Sequence, residues 1–165
     1  MYMEQAIINE INKKYIEATE SYEVEIEEGK LNILPNCFIN LAFLYWCFAF
    51  ELFEFVIPNG VSEYWSNKGG NRFLKVLDLG LERFPNNLEL NFWKKYFLHI
   101  SYGKEFTESD CLNLIKKYNK EESVVPYFFL YSFDEIGYKE QKDKLIYEAE
   151  VMPTAKNLYI KSLLV

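Results

Sequence analysis

The sequence predicts a mainly α-helical chain, a stack of α-hairpins within one domain that spans residues 1–165. Three observations lead to this prediction. Apolar residues recur every three or four positions along most of the chain, which is the spacing of an amphipathic helix. Proline, glycine and asparagine interrupt this pattern where short connections between helices are expected. The length of 165 residues, of which 50% are apolar, suits a single domain with a large core.

Two elements of different periodicity are predicted before the first proline. A helix is predicted over residues 3–20, where Ile7, Ile11 and Tyr15 share one face. Residues 22–34 alternate instead between apolar and polar side chains, with a period of two. The apolar positions of this alternation are Tyr22, Val24, Ile26, Leu31 and Ile33. It predicts a short β-hairpin near residues 22–34, although an extended connector would produce the same pattern.

Residues 35–57 form a long apolar segment. Pro35 suits the first turn of a helix, and a Pro-Asn-Gly sequence marks its end. Of the 20 residues 38–57, 17 are apolar, which is close to the length of a membrane-spanning helix. However, Glu51 and Glu54 lie inside the segment, and each would cost about 2.5–3.5 kcal/mol near the bilayer centre. The segment therefore predicts a central helix buried in protein, without membrane contact.

Six further helices are predicted in the remainder of the chain. Gly69-Gly70 is interpreted as a break before the first of them, and Pro85 as part of the turn after it. Thr107 and Asp110 have the spacing of a capping box at the start of the third. The predicted helices cover residues 71–84, 87–102, 107–120, 124–136, 139–151 and 154–164.

The second half of the chain repeats itself at an offset of 68 residues, which is twice 34. Leu77 aligns with Leu145 and Pro85 aligns with Pro153. A helix-turn-helix period of 34 residues is that of tetratricopeptide repeats. The residues that share one register position, and are expected to be buried between helices, are Leu81, Ile115 and Ala149.

Residues 71–165 resemble the tetratricopeptide family on these grounds. Gly80 falls where the family has a small residue for close helix packing, and Pro85 and Pro153 fall at its turn proline. The family's Trp-x-x-Leu-Gly-x-x-Tyr signature is absent. The resemblance implies stacked α-hairpins. Ordinary helix lengths in a chance register are the alternative explanation of the spacing.

No catalytic apparatus is recognisable in the sequence. His99 is the single histidine, and it lies in a segment rich in aromatic residues. Cys37, Cys47 and Cys111 form no pair with the spacing of a zinc site, and no phosphate-binding glycine motif occurs. The sequence therefore predicts a protein that is not an enzyme and that needs no cofactor or metal. Unpaired cysteines in apolar runs favour reduced thiols and a cytoplasmic location.

The acidic residues are concentrated at the start of the chain. Residues 1–66 contain 11 acidic and 3 basic side chains, whereas residues 67–165 contain 14 acidic and 15 basic ones. Acidic surface repels phosphate, which argues against a nucleic-acid partner and favours a basic protein. The alternative is an acidic face that only keeps the protein soluble.

The predicted partner interface consists of six glutamates. Strand alternation would place three of them on one exposed face, opposite the apolar residues of the predicted hairpin. Two others lie one helical turn apart within the apolar segment 38–57, where an exposed charge is least expected. The six residues are Glu23, Glu25, Glu27, Glu28, Glu51 and Glu54.

In size, acidity and composition the chain resembles the immunity proteins of bacterial contact-dependent growth inhibition (polymorphic toxin) systems. No motif defines that group. The resemblance implies an inhibitor that binds a basic toxin domain, in particular a nuclease, in a one-to-one complex. An acidic inhibitor of a nuclease would copy the charge of the phosphate substrate. The alternative is a helical-repeat adaptor or secretion chaperone that binds a peptide or helix.

Overall fold

Helices account for all regular secondary structure in the residues that the structure, a computed structural model, describes. These residues are 2–29, 31–118 and 123–165. The predicted mainly α class is therefore confirmed. The elements are α1 (Tyr2–Ile11), α2 (Tyr15–Glu27), α3 (Pro35–Phe50), a π-helical turn (Leu52–Val56), α4 (Glu63–Arg83), α5 (Leu88–Tyr102), α6 (Glu108–Tyr118), α7 (Tyr127–Tyr131), α8 (Lys139–Val151) and α9 (Ala155–Leu164).

The helices belong to two compact units that divide between Arg83 and Phe84. The first unit contains α1 to α4 with the π turn, and the second contains α5 to α9. The single domain over residues 1–165 stays a prediction.

The first predicted helix is two helices in the structure. The chain turns between α1 and α2 at residues 12–14, where Lys13 has a positive φ of 58°. The predicted β-hairpin near residues 22–34 is wrong, because residues 22–27 continue α2. A stripe of buried side chains with helical spacing runs through this helix and includes polar residues. Its members are Tyr15, Ala18, Thr19, Tyr22 and Glu25.

A buried hydrogen-bond network explains why Tyr22 lies on the inner face of α2. The Tyr22 hydroxyl donates to Glu10 Oε1 at 2.7 Å, and Asn40 Nδ2 donates to the Tyr22 oxygen at 3.0 Å. Glu10, Tyr22 and Asn40 are all buried, so this network joins α1, α2 and α3 inside the first unit. Paired polar groups of this kind avoid most of the desolvation cost of burial.

The long apolar segment is a buried helix that ends in a wider turn. Every residue from Cys37 to Phe48 is buried in α3. Among the described residues, no helix combines the length and the hydropathy needed to cross a bilayer.

The predicted break at Gly69-Gly70 is wrong, because α4 passes through both residues. A Cβ atom at Gly69 would collide with the backbone carbonyl of Tyr45, so glycine here permits close packing of α3 against α4.

The second unit agrees more closely with the predicted boundaries. The α5, α8 and α9 helices begin and end within one residue of the predictions. The capping box is present: the Asp110 N–H donates to Thr107 Oγ1 at 3.1 Å, and the Thr107 N–H donates to Asp110 Oδ2 at 2.9 Å. The helix predicted over 124–136 is the short α7. Residues 119–122 lie outside the described part of the chain, so the predicted end of α6 at residue 120 is not described.

Aromatic side chains fill the core of the second unit. Trp93 stacks on Phe128 at 5.5 Å between ring centroids, and Phe92 meets the same ring edge-on at 5.5 Å.

Of the proposed repeat positions in the chain, Ile115 and Ala149 are buried as expected. Leu81 is partly exposed, so its expected burial is wrong.

Candidate protein-interaction surface

The predicted acidic face on α2 does not exist as one surface. A helix turns each successive residue by about 100°, so Glu25 points away from Glu23 and Glu27, which lie within about 40° of each other. Glu23 accepts a hydrogen bond from the Tyr45 hydroxyl and forms an ion pair of 2.6 Å with Lys68. Glu25 is buried, and its Oε2 atom has no hydrogen-bond partner among the described residues. Only Glu27 of these three is exposed.

The other three predicted interface residues are more accessible. Glu28 and Glu54 are exposed, and Glu51 is half-buried. Burial raises the pKa of the Glu51 carboxyl above its ordinary value, and the nearby charge of Glu54 raises this pKa further. The two carboxyls therefore form one acidic cluster at the π turn. Whether any of the six glutamates contacts a partner stays a prediction.

The π turn separates inward-facing from outward-facing side chains after α3. Its wide hydrogen bonds join Val56 N–H to the Glu51 carbonyl at 2.9 Å and Ile57 N–H to the Leu52 carbonyl at 2.9 Å. Phe55 points inward, with its ring centroid 4.5 Å from that of Tyr15 and 5.8 Å from that of Phe48. These contacts hold the turn against the core of the first unit. Single π turns inside helical chains are frequently found at functional sites.

Large apolar side chains face outward from the same turn. Phe53 is 78% exposed, Ile57 is 61% exposed and Leu52 is 51% exposed. Three large apolar side chains this close in sequence and this open to water mark a candidate interaction site. We call this set the π-turn surface, and its residues are Glu51, Leu52, Phe53, Glu54 and Ile57.

The sequence concealed half of this surface. The two glutamates were conspicuous because they interrupt an apolar run. The apolar members were not conspicuous, because the helix predicted through residue 57 is expected to be buried, and Leu52 and Phe53 would then lie in the core. The charges give no signal for their neighbours, because adjacent residues on a helix point about 100° apart.

The charged side chains within the π turn itself, residues 51–57, are both acidic, Glu51 and Glu54. No Lys or Arg occurs in the sequence between residues 30 and 68. Lys68 is already engaged, since its Nζ atom pairs with Glu23 and lies 4.8 Å from the centre of the Trp65 ring. Lys13 and Lys14 line a shallow groove of about 180 Å³ with residues of the segment that follows the π turn, so one basic edge is present.

The residues considered for chemistry are held by structural contacts. His99 Nδ1 donates to the Lys104 carbonyl at 2.8 Å, beyond the end of α5, and its ring packs against Phe106 and Phe129. All three cysteines are buried and unpaired. Within the described ranges, no group of three or more histidine, cysteine, aspartate or glutamate side chains could hold a metal ion.

Comparison of the chain with models of known protein families, with curated proteins and with solved structures found no match. A function assigned to the chain therefore rests on its own residues and their geometry.

Proposed function

We propose that the chain is a protein-binding inhibitor, an immunity protein that neutralises a basic toxin domain. The toxin domain is of the nuclease type, the complex is one-to-one, and the site of action is the cytoplasm. The single observation that carries this proposal is the π-turn surface, where exposed apolar side chains lie beside carboxylates.

The charge of the first unit supports a basic partner. Residues 1–83 contain 13 acidic and 7 basic side chains, whereas residues 84–165 contain 12 acidic and 11 basic ones. An acidic surface attracts a basic protein over distances of about 10 Å at moderate salt and accelerates its association. The same charge repels nucleic acid and anionic lipid. A nuclease domain must present basic surface to hold phosphate, so it offers the complementary charge.

The apolar part of the surface supports tight binding. Exposed ion pairs contribute only about 0.2–1 kcal/mol each, which is too little for an inhibitor that must silence a toxin. Most binding energy in protein interfaces comes from a few large side chains near the centre of the contact. Phe53 and its apolar neighbours supply side chains of that kind.

The experiment that tests this function is neutralisation in living cells. Each candidate toxin domain whose gene lies next to the gene of the chain is expressed from an inducible promoter, with and without the chain, and growth is followed. We expect the chain to restore growth and to elute with the purified domain as a one-to-one complex. A toxin domain from an unrelated gene cluster serves as the control and should remain lethal.

Two outcomes would contradict the proposal. Growth arrest that persists with every toxin domain encoded beside the gene would rule out an immunity function. Weak binding that is directed at unfolded or extended segments, with no inhibition of the folded domain, would favour the adaptor or chaperone alternative instead.

A further inference from the structure

We propose that Phe53 is the aromatic anchor of the complex and inserts into an apolar pocket on the partner that is ringed by lysine or arginine side chains. Glu54 and Glu51 pair with that basic ring. This inference rests on the proposed inhibitor function and specifies the chemistry of the surface that the partner must present.

The backbone of the π turn makes Phe53 a preorganised anchor. The turn is tied by wide hydrogen bonds and is held from inside by Phe55, which packs on Tyr15 and Phe48. The backbone therefore loses little freedom when a partner binds. A phenylalanine side chain has only two rotatable bonds, so fixing it costs little entropy for the area that it buries.

Charge complementarity distinguishes a basic protein from the other possible occupants. A symmetric dimer would bring the π-turn surface against the same surface of a second copy, so Glu51 and Glu54 would face like charges. Burial raises the pKa of the Glu51 carboxyl, and the nearby charge of Glu54 raises this pKa further, so Glu51 already experiences a like charge. An anionic membrane would repel the same cluster. A lysine- or arginine-rich surface turns the repulsion into attraction.

The apolar part of the inference is tested by truncating the anchor. The variant Phe53→Ala is compared with Ile136→Ala, which removes an apolar side chain that is 92% exposed in the second unit. Affinity for the neutralised toxin domain is measured by titration calorimetry. We expect Phe53→Ala to weaken binding by about 30-fold or more, as for an interface hot spot, and Ile136→Ala to leave the affinity nearly unchanged.

The charged part is tested by reversing one carboxylate. Glu54→Lys is compared with Glu140→Lys, because both residues are exposed and both substitutions change the net charge equally. Stopped-flow measurements at low and high salt give the association rate constant. We expect Glu54→Lys to slow association several-fold at low salt and to flatten the salt dependence. Glu140→Lys should have a smaller effect on both.

Further measurements test the folding of the variant and the other two possible occupants of the π-turn surface, a second copy of the chain and a membrane. Circular dichroism melts should be unchanged for Phe53→Ala, because the ring is exposed and its loss leaves no cavity. Light scattering with size-exclusion chromatography tests self-association, and flotation with phosphatidylcholine vesicles, with and without phosphatidylglycerol, tests membrane binding. A dimer or a vesicle-bound chain that Phe53→Ala abolishes would overturn the assignment of a basic protein as the occupant.

The failure of this inference can be distinguished from the failure of the proposed function. If the wild-type chain neither binds nor neutralises the toxin domain, the inhibitor function is wrong and the anchor assignment falls with it. If the wild-type chain binds and both π-turn variants bind equally well, the inhibitor function stands and only the anchor assignment is overturned.

Discussion

At the scale of single residues, the three thiols show how burial controls reactivity. Burial raises the pKa of Cys37 and of Cys111 to about 12, and the charge of Glu25 contributes at Cys37. Burial also raises the pKa of Cys47, with smaller contributions from Glu51 and Glu10. A raised pKa favours the neutral thiol, which is a poor nucleophile. At pH 8, roughly one thiol in ten thousand would be ionised at a pKa of about 12.

We therefore expect the folded chain to resist thiol reagents. At pH 8 the aromatic disulfide DTNB should modify none of the three cysteines within minutes, and all three after unfolding in guanidinium chloride. Ser109→Cys provides the matched control, because residue 109 is exposed on α6 and its thiol should react at once. Rapid reaction of one or more thiols in the wild-type chain would contradict the burial of that residue.

At the scale of elements, the contact between α3 and α4 depends on one glycine of an adjacent pair. A Cβ atom at Gly69 would collide with the Tyr45 carbonyl, whereas a Cβ atom at Gly70 would lie 3.5 Å from the Ala49 side chain. The first contact is impossible without a shift of the backbone, and the second is an ordinary van der Waals contact. The two neighbours therefore differ sharply in what they tolerate.

We expect Gly69→Ala to destabilise the chain by about 1–3 kcal/mol, as for an overpacked core. Gly70→Ala should instead be neutral or stabilising by up to about 1 kcal/mol, since alanine favours a helix interior. Urea denaturation followed by circular dichroism measures both free energies of unfolding. Equal effects of the two substitutions would mean that α3 and α4 do not approach each other at Gly69.

The glycine pair and α2 also show how far the sequence predicts the elements. The α5, α8 and α9 helices were predictable because proline or glycine lies close to most of their limits, at Pro85, Gly103, Gly137 and Pro153. The Gly69-Gly70 pair suggested a break, since the sequence carries no sign that another helix packs against it. In α2 the strand pattern from Tyr22 to Ile26 was more conspicuous than the helical stripe, because Thr19 and Glu25 occupy buried positions of that stripe. Tyr22 is buried because its hydroxyl hydrogen-bonds with Glu10 and Asn40 on other helices, and the local sequence pattern does not reveal such contacts.

The candidate site was predictable in part for a similar reason. The position of Glu51 and Glu54 in an apolar run identified them without a structure. Phe53 is exposed on the π turn. No residue type in this segment indicates that the chain forms the wide hydrogen bonds of a π turn. Glu23 and Glu25 were expected to be exposed by a strand pattern, but contacts with Lys68 and burial in α2 remove them from the accessible acidic surface.

At the scale of the whole molecule, the two compact units bear on how many cooperative units the chain contains. The structure divides between Arg83 and Phe84, whereas the length and the composition predict one domain. Small single domains unfold in one all-or-none transition that every probe reports with the same midpoint. Separate domains of about 80 residues would unfold independently, each with its own midpoint.

We expect a single transition. Pulsed hydrogen exchange with mass spectrometry, across a series of urea concentrations, reports α3 in the first unit and α5 in the second without any mutation. Peptides from these two helices should lose protection at the same urea concentration. Two separate midpoints would show that the chain consists of two domains with a boundary near residue 83.

The π turn separates residues that hold the fold from residues that face solvent, and this separation has a consequence for how such a chain evolves. Phe55 and Val56 face inward and hold the turn, whereas Leu52, Phe53 and Ile57 face outward and contribute little to the core. Exchange of exposed side chains usually changes stability by no more than about 0.5 kcal/mol. Mutation can therefore rewrite the outward-facing positions while the scaffold persists. Descendants of one ancestral chain can thus diverge in what this surface contacts and still fold alike.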